Sequence, residues 1–250
     1  MRRKGSAGNT VKHYFLSDAH LYPGHLDHPG REPLKRFLTE LSMGEPGKLW
    51  ILGDLFDYWF EYRTVIPAGF SEMLSLLRKL SDSGWEMAFL PGNHDWWCGD
   101  HLASETGMQI IRESISRQVI EGRQTIISHG DGLGKGDTGY RMIKPVMRSR
   151  SAIFLFSLLH PTAAAGLAGV FSNTSRRILR KQVDTVPAYL TQWVKEQADN
   201  GTELVVTGHT HCPLLIRHEG LLHASIGDWI SHFTYLRVEG EEVKLHEFRR

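Results

Sequence analysis

At 250 residues, with 41% hydrophobic and 23% charged side chains, the chain can bury a substantial core as one large domain or a domain carrying an insertion, which excludes dominant disorder. A formal net charge of +1 excludes the molecule-wide basic field of a dedicated nucleic-acid binder, so any attraction for anions is local and no nucleic-acid partner is expected. Its two cysteines, Cys98 and Cys212, lie far apart and form no Cys-x-x-Cys pair, which argues against a disulfide framework or a zinc ribbon and suits a reducing, cytoplasmic compartment.

In chain order, residues 1–10 begin with Arg2, Arg3 and Lys4 but carry no apolar core, and read as a frayed basic terminus rather than a signal peptide. A β-branched and aromatic run predicts a buried strand over 11–16, ending at Ser17-Asp18. The Pro- and Gly-bearing stretch 22–31 reads as loop. Leu34, Phe37, Leu38 and Leu41 fall at helical spacing before Gly44 and Pro46, predicting a helix over 33–41 that leads into a strand over 48–52. Met73, Leu74, Leu77 and Leu80 share one face of a helix over 70–83, and a third strand follows over 85–90. Strands are then expected over 108–111, 116–120 and 125–128, the last two joined by a Glu121-Gly122 turn. The aromatic run Tyr58, Trp59, Phe60 and Tyr62 is equally compatible with lining a site and with core packing.

The pattern changes over 138–183, which holds eight basic residues (Arg141, Lys144, Arg148, Arg150, Arg176, Arg177, Arg180 and Lys181) and no Asp or Glu. Between the two basic groups, 151–171 is uncharged and includes Phe154, Leu155, Phe156, Leu158 and Leu159. Its length approaches that of a membrane span, but Pro161, Gly166 and Gly169 interrupt it, and a single span between two halves of one catalytic domain is topologically untenable. A helical lid is therefore expected over 138–183, inserted in a core made of 10–137 and 184–250. Regular alternation returns with a helix over 187–198, a strand over 203–207 and closing antiparallel strands over 214–217, 221–225, 234–238 and 243–248.

Five short blocks carry the chemistry, each following a predicted strand: Ser17-Asp18-Ala19-His20, Gly53-Asp54-Leu55-Phe56-Asp57, Gly92-Asn93-His94-Asp95, Ser128-His129-Gly130-Asp131 and Gly208-His209-Thr210-His211. A lone Gly-Asp after a strand is ordinarily a turn, and a lone histidine is ordinarily a satisfied structural residue. Together, however, Asp18, His20, Asp54, Asn93, His129, His209 and His211 form a mixture of imidazole and oxygen ligands that suits manganese, iron, cobalt or zinc better than calcium or magnesium. Seven ligands exceed the need of one ion. Two divalent ions sharing a carboxylate would use them all, and such a pair can activate water and neutralise a phosphoryl group during in-line displacement.

These five blocks resemble the signature of the calcineurin-like metallophosphoesterase family: Asp-x-His, Gly-Asp-x-x-Asp, Gly-Asn-His-Asp, a His-Gly block and Gly-His-x-His. The resemblance implies an α/β fold of two packed mixed sheets flanked by helices. It implies one ion, expected to be manganese, on Asp18, His20, Asp54 and His211, and a second on Asp54, Asn93, His129 and His209, with Asp54 bridging. It also implies that His94 acts as proton donor or phosphate contact, oriented by Asp95. Beyond the common blocks, Gly53-Asp54-Leu55-Phe56-Asp57-Tyr58-Trp59, His129-Gly130-Asp131-Gly132-Leu133 and the helical insertion are similar to the UDP-2,3-diacylglucosamine hydrolases of lipid A synthesis, over most of the chain. One departure is that many of those hydrolases carry Arg at the position of His94.

That resemblance implies a nucleotide-linked lipid substrate, peripheral contact with the inner-membrane surface and no obligate protein partner. The insertion supports it, because a soluble substrate gives no reason for a Phe- and Leu-rich stretch framed by cations; Arg148 and Arg177 are the expected phosphate contacts, Phe154 and Leu158 the expected acyl contacts. The alternatives are a soluble metallophosphatase or phosphodiesterase of nucleotides or phosphoproteins, and a metal-free binding scaffold, against which the intact set of seven ligands counts.

Overall fold

The structure, a computed structural model, describes residues 10–23, 26–136, 138–167, 169 and 185–249. Its frame begins with three parallel strands, β1 (His13–Leu16), β2 (Lys48–Ile51) and β3 (Glu86–Phe89), connected by helices α1 (Arg31–Met43) and α2 (Ser71–Asp82). After their polar first residues, His13, Lys48 and Glu86, these strands read as apolar runs because both faces are covered. Leu16, Leu49, Ile51, Met87 and Phe89 pack against the helices, with Phe37, Leu38, Leu74 and Leu77. Phe15, Trp50, Leu52, Ala88 and Leu90 turn the other way, toward a second sheet. The register pairs Phe15 with Trp50 and Trp50 with Ala88, so the alternation stays in phase across the sheet.

After β3 come helix α3 (Asp100–Thr106), whose chain turns at left-handed Gly107, and the two-residue strand β4 (Gln109–Ile110). Strands β5 (Ser116–Ile120) and β6 (Arg123–Ser128) open the second sheet. Helices α4 (Thr138–Met147), α5 (Arg150–Ser157) and α6 (161–167) occupy the described part of the stretch 138–183. Helix α7 (Ala188–Ala198) covers the outer face of the second sheet, where Leu190 and Val194 meet Ile126, Val205 and Leu221. Strands β7 (Leu204–Thr207), β8 (Pro213–His218), β9 (Leu221–Ile226), β10 (Thr234–Glu239) and β11 (Glu242–Glu247) complete the chain.

The first sheet has the order β11-β10-β1-β2-β3-β4 and the second β5-β6-β7-β9-β8. Both are mixed, and between them Phe15, Ile127, Val206, Ile226 and Leu236 form a common core. Each large apolar side chain removed from water there contributes about 1.5–3 kcal/mol. This is the expected α/β fold of two packed mixed sheets flanked by helices. Helix α3 was not expected from the sequence; its seven residues are too few for a periodic signal to stand out. The aromatic run resolves toward core packing for Trp59 and Phe60, both fully buried, with Trp59 stacked 4.4 Å from Phe56.

Candidate metal centre

The topology brings the carboxyl ends of β1, β2 and β3 from one sheet and of β6 and β7 from the other to a single edge, so the five blocks meet there. Backbone hydrogen bonds join the loops: His20 N–H donates to the Asp54 carbonyl at 2.8 Å, and Gly208 N–H to the His129 carbonyl at 2.9 Å. Across the sheets, His209 N–H donates to Asp18 Oδ2 at 2.8 Å, and His129 Nδ1 lies 2.7 Å from the Leu52 carbonyl. That carbonyl can only accept, so it fixes the proton on Nδ1 and leaves His129 Nε2 facing inward. Nε2 lies 3.4 Å from Asp54 Oδ2 and 3.2 Å from Asn93 Oδ1.

The inward atoms of Asp18, His20 and His211 lie within 4.8 Å of one another, and so do those of Asp54, His129 and His209. Asp54 Oδ2 is also 3.6 Å from His20 Nε2, which places this carboxylate between the two groups. Holding so many side chains at one point strains the backbone. Asp18, His20, Asp54, His209 and His211 all have positive φ, between 44° and 66°, a region that side-chain-bearing residues rarely adopt. Close approach demands small neighbours too: a Cβ on Gly208 would stand 2.6 Å from Asp18 Oδ2, and one on Gly92 would collide with the Asp54 carboxylate.

The residues fit divalent cations. Asp18 Oδ1, both ring nitrogens of His20 and Nε2 of His211 are buried with no hydrogen-bond partner, a cost that a coordinated cation removes. The electrostatics point the same way. Burial opposes a charge on His20, yet Asp18 and Asp57 overcome it and push the imidazole up to about 10; His129 is likewise pushed up to about 10, against burial, by Asp54. Asp54 itself is held well below the usual carboxylate range, where the surrounding histidines outweigh burial. His209, by contrast, is pushed down to about 4 by burial and by His129. The acidic centre thus draws in positive charge wherever a partner can carry it.

Other residues named from the sequence sit differently. His94 is at the rim of the group: its backbone N–H donates to Asp54 Oδ1 at 2.9 Å, and its Nδ1 lies 2.9 Å from the Asp57 carbonyl. Asp95 does not orient that ring. Its carboxylate accepts backbone N–H bonds from Asp54, Leu55, Phe56 and Gly92 at 2.8 to 3.3 Å, so it fastens the second and third blocks together. The Asp57 backbone carbonyl holds that ring instead, while the Asp57 carboxylate stands nearby, with Oδ1 3.6 Å from His20 Nδ1 and 3.8 Å from His94 Nδ1. Arg148 is not a free cation awaiting phosphate either, since its guanidinium pairs with Asp131 at 2.9 Å and covers the Trp96 ring. Phe154 and Leu158 are exposed, at 63% and 67%, and Arg177 lies outside the described residues.

Sequence reading missed Asp228, in the turn after β9. Its Oδ2 is 3.3 Å from His211 Nδ1, while its Oδ1 accepts from the backbone N–H of Ile230, Ser231 and His232. The signal was present: Gly227-Asp228 follows an apolar strand just as Gly53-Asp54 does.

A profile of the calcineurin-like phosphoesterases matches residues 12–213. A protein of Porphyromonas gingivalis named UDP-2,3-diacylglucosamine hydrolase is 32% identical over 94% of this chain and 96% of its own. One of the same name in Neisseria meningitidis is 30% identical over 91% and 94%, and one in Shewanella baltica is 29% identical over 92% and 95%.

Proposed function

Because the chain belongs to the calcineurin-like phosphoesterase family and is a hydrolase of phosphate esters or anhydrides, we propose that it cleaves the pyrophosphate bond of UDP-2,3-diacylglucosamine, giving UMP and 2,3-diacylglucosamine 1-phosphate, a step of lipid A biosynthesis. The observation that carries this reading is the length of the match: relatives bearing that name align over more than nine-tenths of both chains, a span that takes in the insertion. The exposed apolar side chains of that insertion, Met142, Phe154, Leu155 and Leu158, support it, since they offer acyl chains a surface that a soluble phosphodiester does not need.

In this reading Asp18, His20, Asp54 and His211 hold one divalent ion, and Asp54, Asn93, His129 and His209 hold another, with manganese the expected metal. The pair, when bound, supplies charge neutralisation and an acidified water for phosphoryl transfer. The protein's own groups do the rest. Asp57 and the backbone hold His94 so that Nε2 remains for the phosphoryl oxygens or the leaving group, where proton transfer contributes about 10²- to 10⁴-fold. Asp95 keeps the Asp54 and Asn93 loops in register. Phe154 and Leu158 take up acyl methylenes, each about 0.8 kcal/mol once out of water.

No helix among the described residues is long and apolar enough to cross a membrane. We place the protein in the cytoplasm, touching the inner-membrane surface through the apolar faces of α4 and α5, with exposed Arg141 and Arg150 beside them to meet anionic lipid. The test is mass-spectrometric identification of products from a panel containing UDP-2,3-diacylglucosamine, UDP-N-acetylglucosamine, nucleotides and simple phosphodiesters. UMP and the diacyl sugar phosphate are expected. Turnover of the small esters or nucleotides alone would replace this reading with a soluble metallophosphodiesterase.

A further inference from the structure

The junction between α4 and α5 is fastened to two of the ligand-bearing loops at once. Arg148 occupies that junction with a side chain only 12% exposed. One terminal nitrogen of its guanidinium is 2.9 Å from Asp131 Oδ2, the other donates to Ser114 Oγ at 2.8 Å, and the guanidinium carbon lies over the Trp96 ring, 3.4 Å from its centroid. Asp131 is two residues beyond His129 and Trp96 two beyond His94, so the same guanidinium grips both blocks.

Neighbouring contacts reinforce the grip. Lys144 Nζ reaches Asp131 Oδ2 at 2.9 Å and its carbonyl at 2.7 Å, and the Tyr140 hydroxyl donates to Oδ2 at 2.7 Å. On the other side, Trp97 Nε1 donates to the Met147 carbonyl at 2.9 Å, and its ring lies 4.4 Å from that of Phe156. Phe156 also meets Phe60 at 4.9 Å. Asp131 is 3% exposed, and a buried carboxylate gripped by two cations and a hydroxyl is costly to open, because removing a partner leaves a desolvated charge behind. A side chain engaged on three fronts in this way cannot also reach out to a substrate phosphate without giving up all three.

We propose that Arg148 is a positioning residue: through Asp131 and Trp96 it sets the placement of the His129 and His94 loops, making the α4–α5 junction a strut of the hydrolytic site and not part of its substrate-binding surface. The inference needs only that the chain is a phosphoester or anhydride hydrolase, and stands apart from the identity of the lipid. A displacement of the order of 1 Å at the reacting groups costs on the order of 10²-fold in rate, so loosening this strut should act on turnover.

The experiment uses the full chain loaded with Mn²⁺ and compares wild type with Arg148→Ala, Arg148→Lys, Asp131→Asn and the Arg148→Ala/Asp131→Asn double variant. The substrates are bis(p-nitrophenyl) phosphate, which has neither acyl chain nor nucleotide, and UDP-2,3-diacylglucosamine; the kcat and KM split is read on whichever the wild type hydrolyses. For Arg148→Ala the expected result is a fall in kcat on the order of 10²-fold with KM within about twofold, equal on the two substrates and with metal content retained. Arg148→Lys, which keeps a positive charge facing Asp131 but loses the guanidinium contact with Trp96, should recover part of the loss. The double variant should be no worse than the more damaging single change, as for residues acting as one unit. Three outcomes overturn the proposal. A raised, salt-sensitive KM confined to the diphosphate substrate would mean that Arg148 touches substrate. Fully additive losses would mean that Arg148 and Asp131 act apart. Loss of metal or of folded protein in Arg148→Ala, with unchanged kcat in a folded Arg148→Lys, would leave only a generic structural role.

Discussion

Asp228 Oδ2 lies 3.3 Å from His211 Nδ1, while the opposite ring nitrogen of His211 lies 3.4 Å from Asp18 Oδ1. The imidazole is thus held between two carboxylates, one buried in the turn after β9 and one in the centre. Burial opposes ionisation of Asp228, but the adjoining His211 ring and then the backbone N–H groups of Ser231 and His232 hold its carboxyl well below the ordinary range, so Oδ2 is an acceptor facing His211 Nδ1. Nε2 is therefore committed to the centre. Outer partners of this kind carry about 10- to 100-fold in metal affinity. Asp228→Asn should weaken Mn²⁺ binding by that factor in a calorimetric titration while the circular dichroism spectrum stays unchanged; an unchanged affinity would show that His211 needs no such support.

Asp54 stands between both ligand groups, near His20 at 3.6 Å and His129 at 3.4 Å. Asp54→Asn and Asp54→Ala should abolish turnover and lower bound metal well below two ions per chain by elemental analysis. Full occupancy with activity in either variant would remove Asp54 from its bridging place.

His94 contacts the centre through its backbone, and its ring is steadied by Asp57. His94→Ala should keep the metal content and lose about 10²- to 10⁴-fold in kcat, with a smaller change in KM. A loss appearing only as missing metal would make it a ligand or structural residue.

Phe154 and Leu158 present their apolar surfaces to solvent, so changing both to Gln removes little from the core. The double change should lower kcat/KM for the diacyl substrate by an order of magnitude or more, at about 0.8 kcal/mol per acyl methylene, and leave a small chromogenic phosphodiester untouched. Equal losses on both would point to damaged folding, and none on either to an insertion that does not bind acyl chains.

Away from the centre, His223 is wholly buried in β9 with Nε2 3.0 Å from Thr207 Oγ1, and burial, helped by His218, pushes its pKa down from 6.5 to about 4. Between those two values the unfolded chain binds a proton that the native chain refuses, so native stability falls as pH drops through this window and levels off below it. The shift corresponds to at most about 3 kcal/mol at the acid end. Urea unfolding of the metal-free protein at pH 7 and pH 4.5 should show a smaller pH-dependent drop for His223→Gln than for wild type; equal drops would exonerate His223.

Strands and helices were legible because they rest on local periodicity. The apolar runs leading to Asp18, Asp54 and Asn93 announce buried parallel strands, and Leu34, Phe37, Leu38 and Leu41 announce the crossover helix, whatever the rest of the chain does. The candidate ligands were legible for the same reason, since the Asp-x-His and His-x-His spacings and the position after a strand are both short-range patterns. What no local pattern carries is the choice of partner. Asp57, Asp95, Asp131 and Asp228 are all carboxylates in loops near candidate ligands, alike as letters. Packing the two sheets face to face, with their ligand-bearing loops at one common edge, sends Asp95 to the backbone N–H groups of another loop, Asp57 to two histidines, Asp131 to Arg148 and Lys144, and Asp228 to His211. Arg148 shows the same limit from the cationic side. Within 138–183 it is one of eight positive charges awaiting an anion, and the fold supplies that anion from the protein itself, where a buried, prearranged carboxylate holds a guanidinium more firmly than an exposed site awaiting substrate would.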